Sequence, residues 1–298
     1  MPYALSTMWM QHRFQDLPAF WEAAQALGFA GIEVSHVVRQ EQVADLRPGH
    51  VPIRAVHYPA PVQPSPFSQP ADVLLSSPDP EARAWAVEQG RHCLRFAAAM
   101  GAQAVCVHLG TVDMPTHLEW ALEQRFLGRQ RSTPYYRALR DQILAERARR
   151  QPPFLEAARR SLDELTPVAR ELGLRIGIES RRHYREIPSL DELTLLLDEQ
   201  DPDVVGFWYD MGHVEVLHNL GYHQHQEWLN RFGPRIVGVH IHDTLGLRDH
   251  LLPGLGELNF GHIANYLPGD AVRTLELDWY YSQEELAAAL AFVEEKLG

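Results

Sequence analysis

The sequence predicts a single closed (β/α)₈ barrel, a TIM barrel, that spans residues 1–298. Eight short apolar or β-branched runs alternate with segments of helical periodicity, which is typical of a parallel sheet with helical crossovers. No glycine-rich phosphate loop follows the first predicted strand, and this favours a closed barrel over an open doubly wound sheet. The length also suits one barrel, because such barrels commonly use roughly 250 residues.

The predicted strands are short, and most are followed by a longer helical segment. We place the strands at residues 3–6, 31–35, 53–57, 104–108, 175–179, 204–210, 236–242 and 273–277. We place the helices at residues 17–27, 81–100, 153–172, 190–199, 225–232, 261–267 and 282–297. Several helices end at a glycine just before the next strand, as at Gly28 and Gly173. The connection after the second strand is too short for a clear helical pattern.

One connection is longer than a barrel requires. Residues 111–152, after the fourth predicted strand, contain two further predicted helices, near 117–129 and 135–150, and eight arginines. This helical insertion leaves the C-terminal face of the barrel, where the βα loops build active sites. We interpret it as a solvated helical hairpin or as a contact surface of a homo-oligomer, rather than as a lid over a substrate.

The composition is that of an ordinary soluble globular protein. Hydrophobic residues make up 45% and charged residues 22% of the chain, and no apolar run is long enough for a membrane helix. The net charge of −12 weighs against general binding to nucleic acid or to anionic membranes. Two cysteines give no disulfide framework and no secretory signal is recognisable, so we expect a cytoplasmic protein.

Ionisable residues stand at the C-terminal ends of six successive predicted strands. Taken along the chain, these strand ends carry His57, His108, Glu179, Asp210, His240 and Glu276. In a barrel these ends converge on one pocket. Each residue alone is weak evidence for a metal site, since a single strand-end histidine more often has a structural role. Carboxylates and imidazoles that meet in one pocket are what a hard or borderline divalent cation needs, and they are costly to bury without one. The ordered set therefore predicts a divalent-metal site.

These strand ends resemble the motifs of the xylose-isomerase-like TIM barrels. That superfamily includes sugar isomerases, ketose 3-epimerases, inositol-catabolism isomerases and the DNA-repair enzyme endonuclease IV. The resemblance covers nearly the whole chain, and its elements are VHYP (56–59), VHLG (107–110), GIES (177–180), YDMGH (209–213), VHIHD (239–243), RDHLLPGLGEL (248–258) and TLEL (274–277). It implies that a single metal ion is bound by Glu179, Asp210, His240 and Glu276.

The resemblance also implies a reaction, the isomerisation or epimerisation of a sugar, a sugar phosphate or a sugar acid. Glu179 and Glu276 are expected on opposite sides of the substrate, where one takes a proton from carbon and the other returns one through a metal-stabilised enediolate. His213 matches the family's Asp-x-x-His and is expected to hydrogen-bond a substrate oxygen. We expect further substrate contacts from His57, His108, Arg182 and Arg248. The two arginines would suit an anionic group of the substrate.

The same superfamily supplies the main alternative, an endonuclease IV-like phosphodiesterase with a trinuclear zinc cluster. The additional metal ligands would then be His57, His108, His213, Asp249 and His250. Asp249 and His250 are adjacent, whereas the repair enzyme has Asp-x-His, so the sequence departs from that pattern. Another metal-dependent hydrolase or dehydratase also fits, while a non-catalytic binding protein would leave the two opposed glutamates without use.

We expect a small sugar-like substrate rather than DNA, because the net charge of −12 gives little attraction to phosphate backbones. Basic and aromatic surface loops that could hold a kinked duplex are also scarce outside the insertion. The identity of the metal stays open. Three carboxylates and one imidazole suit Mn²⁺, Mg²⁺ or Co²⁺, whereas recruitment of further histidines favours Zn²⁺.

Overall fold

The computed structural model describes residues 2–298, and its main feature is a closed barrel of eight parallel strands. Met1, the first residue of the predicted domain, lies outside the described residues. The barrel strands are β1 (Tyr3–Ser6), β2 (Gly31–Val34), β3 (Ile53–His57), β4 (Ala104–Val107), β5 (Arg175–Glu179), β6 (Val205–Asp210), β7 (Ile236–Ile241) and β10 (Val272–Leu275). Between β7 and β10 lies an antiparallel hairpin formed by β8 (Asp243–Leu245) and β9 (Arg248–Leu251).

Helices surround the barrel and connect its strands. They are α1 (Leu17–Ala26), α2 (Ala71–Leu74), α3 (Pro80–Ala99), α4 (Thr116–Leu127), α5 (Pro134–Arg150), α6 (Pro152–Glu171), α7 (Leu190–Asp198), α8 (Met211–Leu220), α9 (His225–Phe232), α10 (Phe260–Ile263) and α11 (Gln283–Leu297). None of the helices within residues 2–298 is long and apolar enough to cross a membrane.

The predicted fold class is confirmed, including the helical insertion after β4. The sheet closes because β1 pairs in parallel with both β2 and β10, so that Leu5 lies opposite Ile32 on one side and Leu275 on the other. The connection after β2 holds only a short 3₁₀ turn at Gln40–Gln42. This agrees with the lack of a clear helical pattern there.

Three features were not predicted, namely helix α2, helix α8 and the hairpin of β8 and β9. Helix α8 begins directly after β6, where the sequence analysis placed no helix. The Asp210 side chain accepts a hydrogen bond from the backbone N–H of His213 at 2.8 Å, so the last residue of β6 also caps α8. Helix α2 and the two strands of the β8–β9 hairpin have only three or four residues each, which is too few to carry a periodic pattern.

The interior of the barrel is filled by one large side chain. Trp208 on β6 is fully buried, among Ala55, Ala104, Cys106, Val237 and Val272. A Cβ atom on Gly177 or on Gly238 would come within 2.7 or 2.3 Å of its ring atoms. Both strands beside β6 therefore need glycine at the level of the indole, since close-packed interiors leave no room for a further methyl group. The ring forms the floor beneath the strand ends.

The insertion packs against the barrel through a core of its own. Leu122 of α4 and Ile143 of α5 are fully buried together with Val216 of α8. A buried ion pair adds to this contact, since the Arg147 guanidinium of α5 donates to both carboxylate oxygens of Glu192 on α7, at 2.6 and 2.7 Å. The hairpin of α4 and α5 is thus held against α7 and α8 over one of its faces.

We expect Glu192→Ala to lower the free energy of unfolding by about 3–5 kcal/mol, because it leaves the buried Arg147 guanidinium without its partner. Urea denaturation of the purified variant measures this change. Glu199→Ala is the matched control, since Glu199 pairs with Arg159 near the surface and such pairs contribute little. Equal losses in the two variants would contradict the assignment.

Candidate metal centre

Four side chains converge at the C-terminal end of the barrel. One ligand atom from each of Glu179, Asp210, His240 and Glu276 lies within 4.8 Å of the others, and all four residues are buried. His240 is at the middle of the group. Its Nδ1 lies 2.8 Å from Glu179 Oε1, 3.1 Å from Glu276 Oε2 and 3.6 Å from Asp210 Oδ2. The structure thus brings together the four residues predicted from the sequence as metal ligands.

Strand register explains why these residues meet. Asp210 at the end of β6 lies directly beside His240 on β7, and Thr274 on β10 lies beside His240 on the other side. Glu179 ends β5, the strand next to β6. Glu276 follows directly after β10. Because all barrel strands run in the same direction, their C-terminal ends point these side chains into one pocket.

The pocket is rich in negative charge. Burial opposes ionisation of Glu179, but His108 and other nearby histidines hold the pKa of its carboxyl well below the ordinary value. Burial also opposes ionisation of Asp210, but the imidazoles of His213, His242 and His240 lower the pKa of its carboxyl. The pKa of Glu276 is lowered in the same way, against the effect of burial, by the imidazoles beside it. Three ionised carboxylates and one imidazole form a donor set that fits a divalent cation.

Glu33 on β2 is a fifth buried residue beside the four predicted ligands, and it was not selected from the sequence. It is fully buried, and its Oε1 lies 3.0 Å from Nε2 of His240, while the Thr274 hydroxyl donates to its Oε2 at 3.0 Å. Burial lowers the pKa of His240, yet Glu276 and Glu33 together raise it well above its usual value. The signal in the sequence was an acidic residue inside the apolar strand GIEV (31–34).

A second candidate group shares Glu179. His57, His108 and Glu179 each offer a ligand atom within 4.8 Å of the others. His57 Nε2 lies 3.6 Å from Glu179 Oε2, and His108 Nε2 contacts the same oxygen. The opposite ring nitrogen of His108 faces Asp72 Oδ2 at 3.4 Å, and that of His57 faces the carbonyl of Tyr58 at 2.9 Å. We call this the histidine-pair group.

A third candidate group lies towards the β8–β9 hairpin and consists of Asp210, His242, His250 and Glu276. His242 Nε2 lies 3.0 Å from Asp210 Oδ1, and its Nδ1 accepts from the backbone N–H of His250 at 2.9 Å. His250 has a left-handed backbone conformation, with a φ of 53°. Its ring stacks on that of His242, with 4.2 Å between the ring centroids. Among residues 2–298 no candidate ligand group includes Asp249 or His213, although both were predicted as additional ligands.

The remaining predicted residues surround these groups. His213 is buried, with Nδ1 3.0 Å from the Ser180 carbonyl and Nε2 4.0 Å from Asp249 Oδ2. Arg182 donates to Asp249 Oδ2 at 3.0 Å and to a backbone carbonyl of the hairpin. Arg248 is exposed on β9, with its guanidinium beside Tyr280. The structure therefore places His213 next to the ligands and Arg248 at the surface.

Arg181 is closer to the ligands than either predicted arginine. Its Nη1 donates to Glu179 Oε2 at 2.6 Å, and its Nη2 donates to Glu186 Oε1 at 3.1 Å. Arg181 was not among the candidate residues selected from the sequence. Its tertiary contacts place it in the pocket, in a loop that had no pattern to reveal this.

Comparison with known proteins places the chain in a family. A model of the family described as "Xylose isomerase-like TIM barrel" matches residues 21–296. A curated relative, Uncharacterized protein MJ1311 of Methanocaldococcus jannaschii, is 31% identical over 147 residues, which cover 46% of this chain and 50% of that protein. The chain spans about half the length of the curated relatives that it matches.

Solved structures share the barrel. A D-psicose 3-epimerase with D-tagatose from Clostridium cellulolyticum H10 is 16% identical, with a TM-score of 0.69 and coverage of 100% of this chain and 99% of that one. The IolI protein with a bound zinc atom is 13% identical, with a TM-score of 0.66 and coverage of 99% of both chains. At such identities the likeness concerns the fold. Because the family match extends over residues 21–296, the chain belongs to the xylose isomerase-like TIM-barrel family.

Proposed function

We propose that this protein is a divalent-metal-dependent isomerase or epimerase acting on a sugar, a sugar phosphate or a sugar acid. The observation that carries the proposal is the pair of buried carboxylates of Glu179 and Glu276. They approach Nδ1 of His240 from the C-terminal ends of two different barrel strands, at 2.8 and 3.1 Å. The fold shared with a D-psicose 3-epimerase supports it.

The cation in this proposal is held by Glu179, Asp210, His240 and Glu276. When bound, it supplies Lewis-acid polarisation of a substrate carbonyl and the neighbouring hydroxyl. Three carboxylates with one imidazole suit Mn²⁺, Mg²⁺ or Co²⁺, while the zinc atom in the IolI structure supports Zn²⁺ as well.

Protein groups perform the proton transfers. Glu179 and Glu276 exchange a proton with the substrate carbon, one as base and the other as acid, through an enediolate. The Nδ1–H of His213 donates to the carbonyl of Ser180, so its Nε2 lone pair is free to accept from a substrate hydroxyl. We propose that His57 and His108 contact further substrate oxygens at the rim.

The charge of Arg182 is already balanced by Asp249, at 3.0 Å. For a phosphorylated or acidic sugar, this leaves the exposed Arg248 as the proposed contact for the anionic group, with Arg182 as a second contact. A neutral sugar requires neither arginine.

The second candidate function is a multinuclear zinc phosphodiesterase acting on DNA. It is favoured by the histidine-pair group and by the group towards the β8–β9 hairpin, which share Glu179, Asp210 and Glu276 with the four proposed ligands. A net charge of −12 weighs against it, because binding to phosphate backbones is dominated by positive charge. The metal content distinguishes the two candidates.

We expect about one tightly bound divalent cation per chain in protein purified without chelators, and loss of activity when that cation is removed. Elemental analysis with the metal-to-chain ratio tests this, followed by a screen of ketoses and their phosphates and acids. Two or three zinc ions per chain would contradict the single-metal proposal and would lead us to assay cleavage of abasic-site DNA.

Glu179→Gln and Glu276→Gln should each abolish the exchange of the substrate C–H proton with D₂O, because a carboxamide cannot take up the proton. Mass spectrometry of the recovered sugar measures this exchange, and circular dichroism checks the fold. Glu284→Gln, at an exposed site on α11, serves as the control and should exchange normally. Retained exchange in either active-site variant would show that its carboxylate is not a proton carrier.

Glu33 is proposed to hold His240 as a metal ligand. With the cation bound, Nε2 of His240 would donate its proton to Glu33 Oε1, 3.0 Å away, so that the Nδ1 lone pair is left for the metal. A carboxylate behind an imidazole ligand fixes the orientation of the ring and increases its basicity. The Thr274 hydroxyl orients the carboxylate in turn.

Glu33→Gln should therefore weaken binding of Zn²⁺ by about 10–100-fold. Competition with a fluorescent chelator measures the affinity. Glu22→Gln, an exposed substitution on α1, should bind as the parent does. Unchanged affinity in Glu33→Gln would mean that strand packing alone orients His240.

A further inference from the structure

Arg181 is a buried cation within the candidate metal centre. Its side chain is only 11% exposed, and it is held between two carboxylates, Glu179 and Glu186. The Glu186 carboxylate also accepts the backbone N–H of His183 at 2.9 Å, so it is fixed in position. Arg181 therefore has a support that is separate from the four proposed ligands.

The two oxygens of Glu179 face different surroundings. Oε1 lies 2.8 Å from His240 Nδ1 and belongs to the group of four proposed ligands. Oε2 lies 2.6 Å from Arg181 Nη1, contacts His108 Nε2 and is 3.6 Å from His57 Nε2. The guanidinium is thus bound to the one carboxylate oxygen that the histidine-pair group offers.

The histidine-pair group otherwise has what a second cation needs. His57 and His108 each direct Nε2 towards Glu179, and each has a partner for Nδ1, the Tyr58 carbonyl and the Asp72 carboxylate respectively. Such partners select the tautomer whose Nε2 lone pair binds metal. Two nitrogens and one oxygen therefore lie within 4.8 Å of one another, next to Arg181.

We propose that the Arg181 guanidinium takes the place of a second metal ion at the histidine-pair group and limits this protein to one divalent cation. This inference rests on the proposed function, since it takes the group of four ligands as the occupied site. A guanidinium stays protonated at any physiological pH. It uses the lone pair of Oε2 that a second ion would need, and it repels a divalent charge at close range.

The same contact has a consequence for the type of chemistry. With one cation, the pocket suits carbonyl polarisation at a single centre. With two or three, it suits hydrolysis of a phosphodiester between metal ions. Arg181 is therefore proposed as a determinant of specificity between these two reaction classes.

The test is the metal stoichiometry of variants at Arg181. Metal-free protein is dialysed to equilibrium against Zn²⁺, and the bound metal is counted by elemental analysis. Co²⁺ absorption spectra report the ligands of each ion. We expect one ion per chain in the parent protein and two in Arg181→Met, with affinity for the second ion increased at least about 100-fold by loss of the positive charge.

Further variants locate the second ion and separate charge from folding. His57→Ala introduced into Arg181→Met should return the count to one. Arg181→Lys keeps the positive charge and should bind one ion. Arg185→Met is the matched control, because Arg185 lies in the same loop but pairs with Glu119. The Arg181→Met protein could fail to fold because the Glu186 carboxylate has lost its partner. In that case the double variant Arg181→Met/Glu186→Gln removes both charges and should bind two ions.

The outcomes separate this inference from the proposed function. One ion in both the parent and the Arg181→Met protein would overturn the role of Arg181 and leave the single-metal site intact. Two ions in the parent would also overturn it. The absence of bound metal in every variant would contradict the metal centre itself. Proton exchange by the parent protein tests the isomerase proposal independently.

Discussion

The carboxylate of Glu179 is the interaction on which the site depends. One oxygen faces His240 at 2.8 Å, and the other faces Arg181 at 2.6 Å and the two histidines of the histidine-pair group. A single buried carboxylate thus joins two sets of ligands. Its buried negative charge needs cationic partners, because an unpaired buried charge is strongly destabilising. The structure supplies one of them as a guanidinium, and we propose that a metal ion is the other.

Support for this pocket comes from below and from one side. The indole of Trp208 fills the barrel beneath it and lies 5.2 Å from the His240 ring, between ring centroids. Gly177 and Gly238 make room for that indole. Glu33 faces the far nitrogen of His240, Nε2, and accepts a hydrogen bond from the Thr274 hydroxyl. In this setting Nδ1 of the imidazole faces Glu179, Asp210 and Glu276.

The loop after β7 is organised by another carboxylate, that of Asp243. Its Oδ1 accepts from the backbone N–H of Thr244 at 2.8 Å, and its Oδ2 accepts from Gly254 and Gly256 at 2.9 Å each. A Cβ at Gly256 would lie 2.3 Å from Asp243. This network fixes the loop that follows the β8–β9 hairpin, and the left-handed backbone at His250 completes the rim of the site. Asp243 thus caps a loop and stays outside the ligand groups.

The sequence by itself determined the barrel and singled out the four central residues that we propose as metal ligands. Two local patterns made this possible: apolar strands alternate with helices, and carboxylates and imidazoles stand at the strand ends. Closure of the barrel makes those strand ends neighbours. Tertiary structure alone decided the rest. Glu33 is buried because β2 lies across the barrel from β7, and Arg181 enters the pocket because Glu186 holds it there. The acidic residue in strand β2 is visible in the sequence, but its partner His240 lies 207 residues away. No pattern in the loop after β5 shows which of its arginines turns inward, so neither role could be assigned before the strands were brought together.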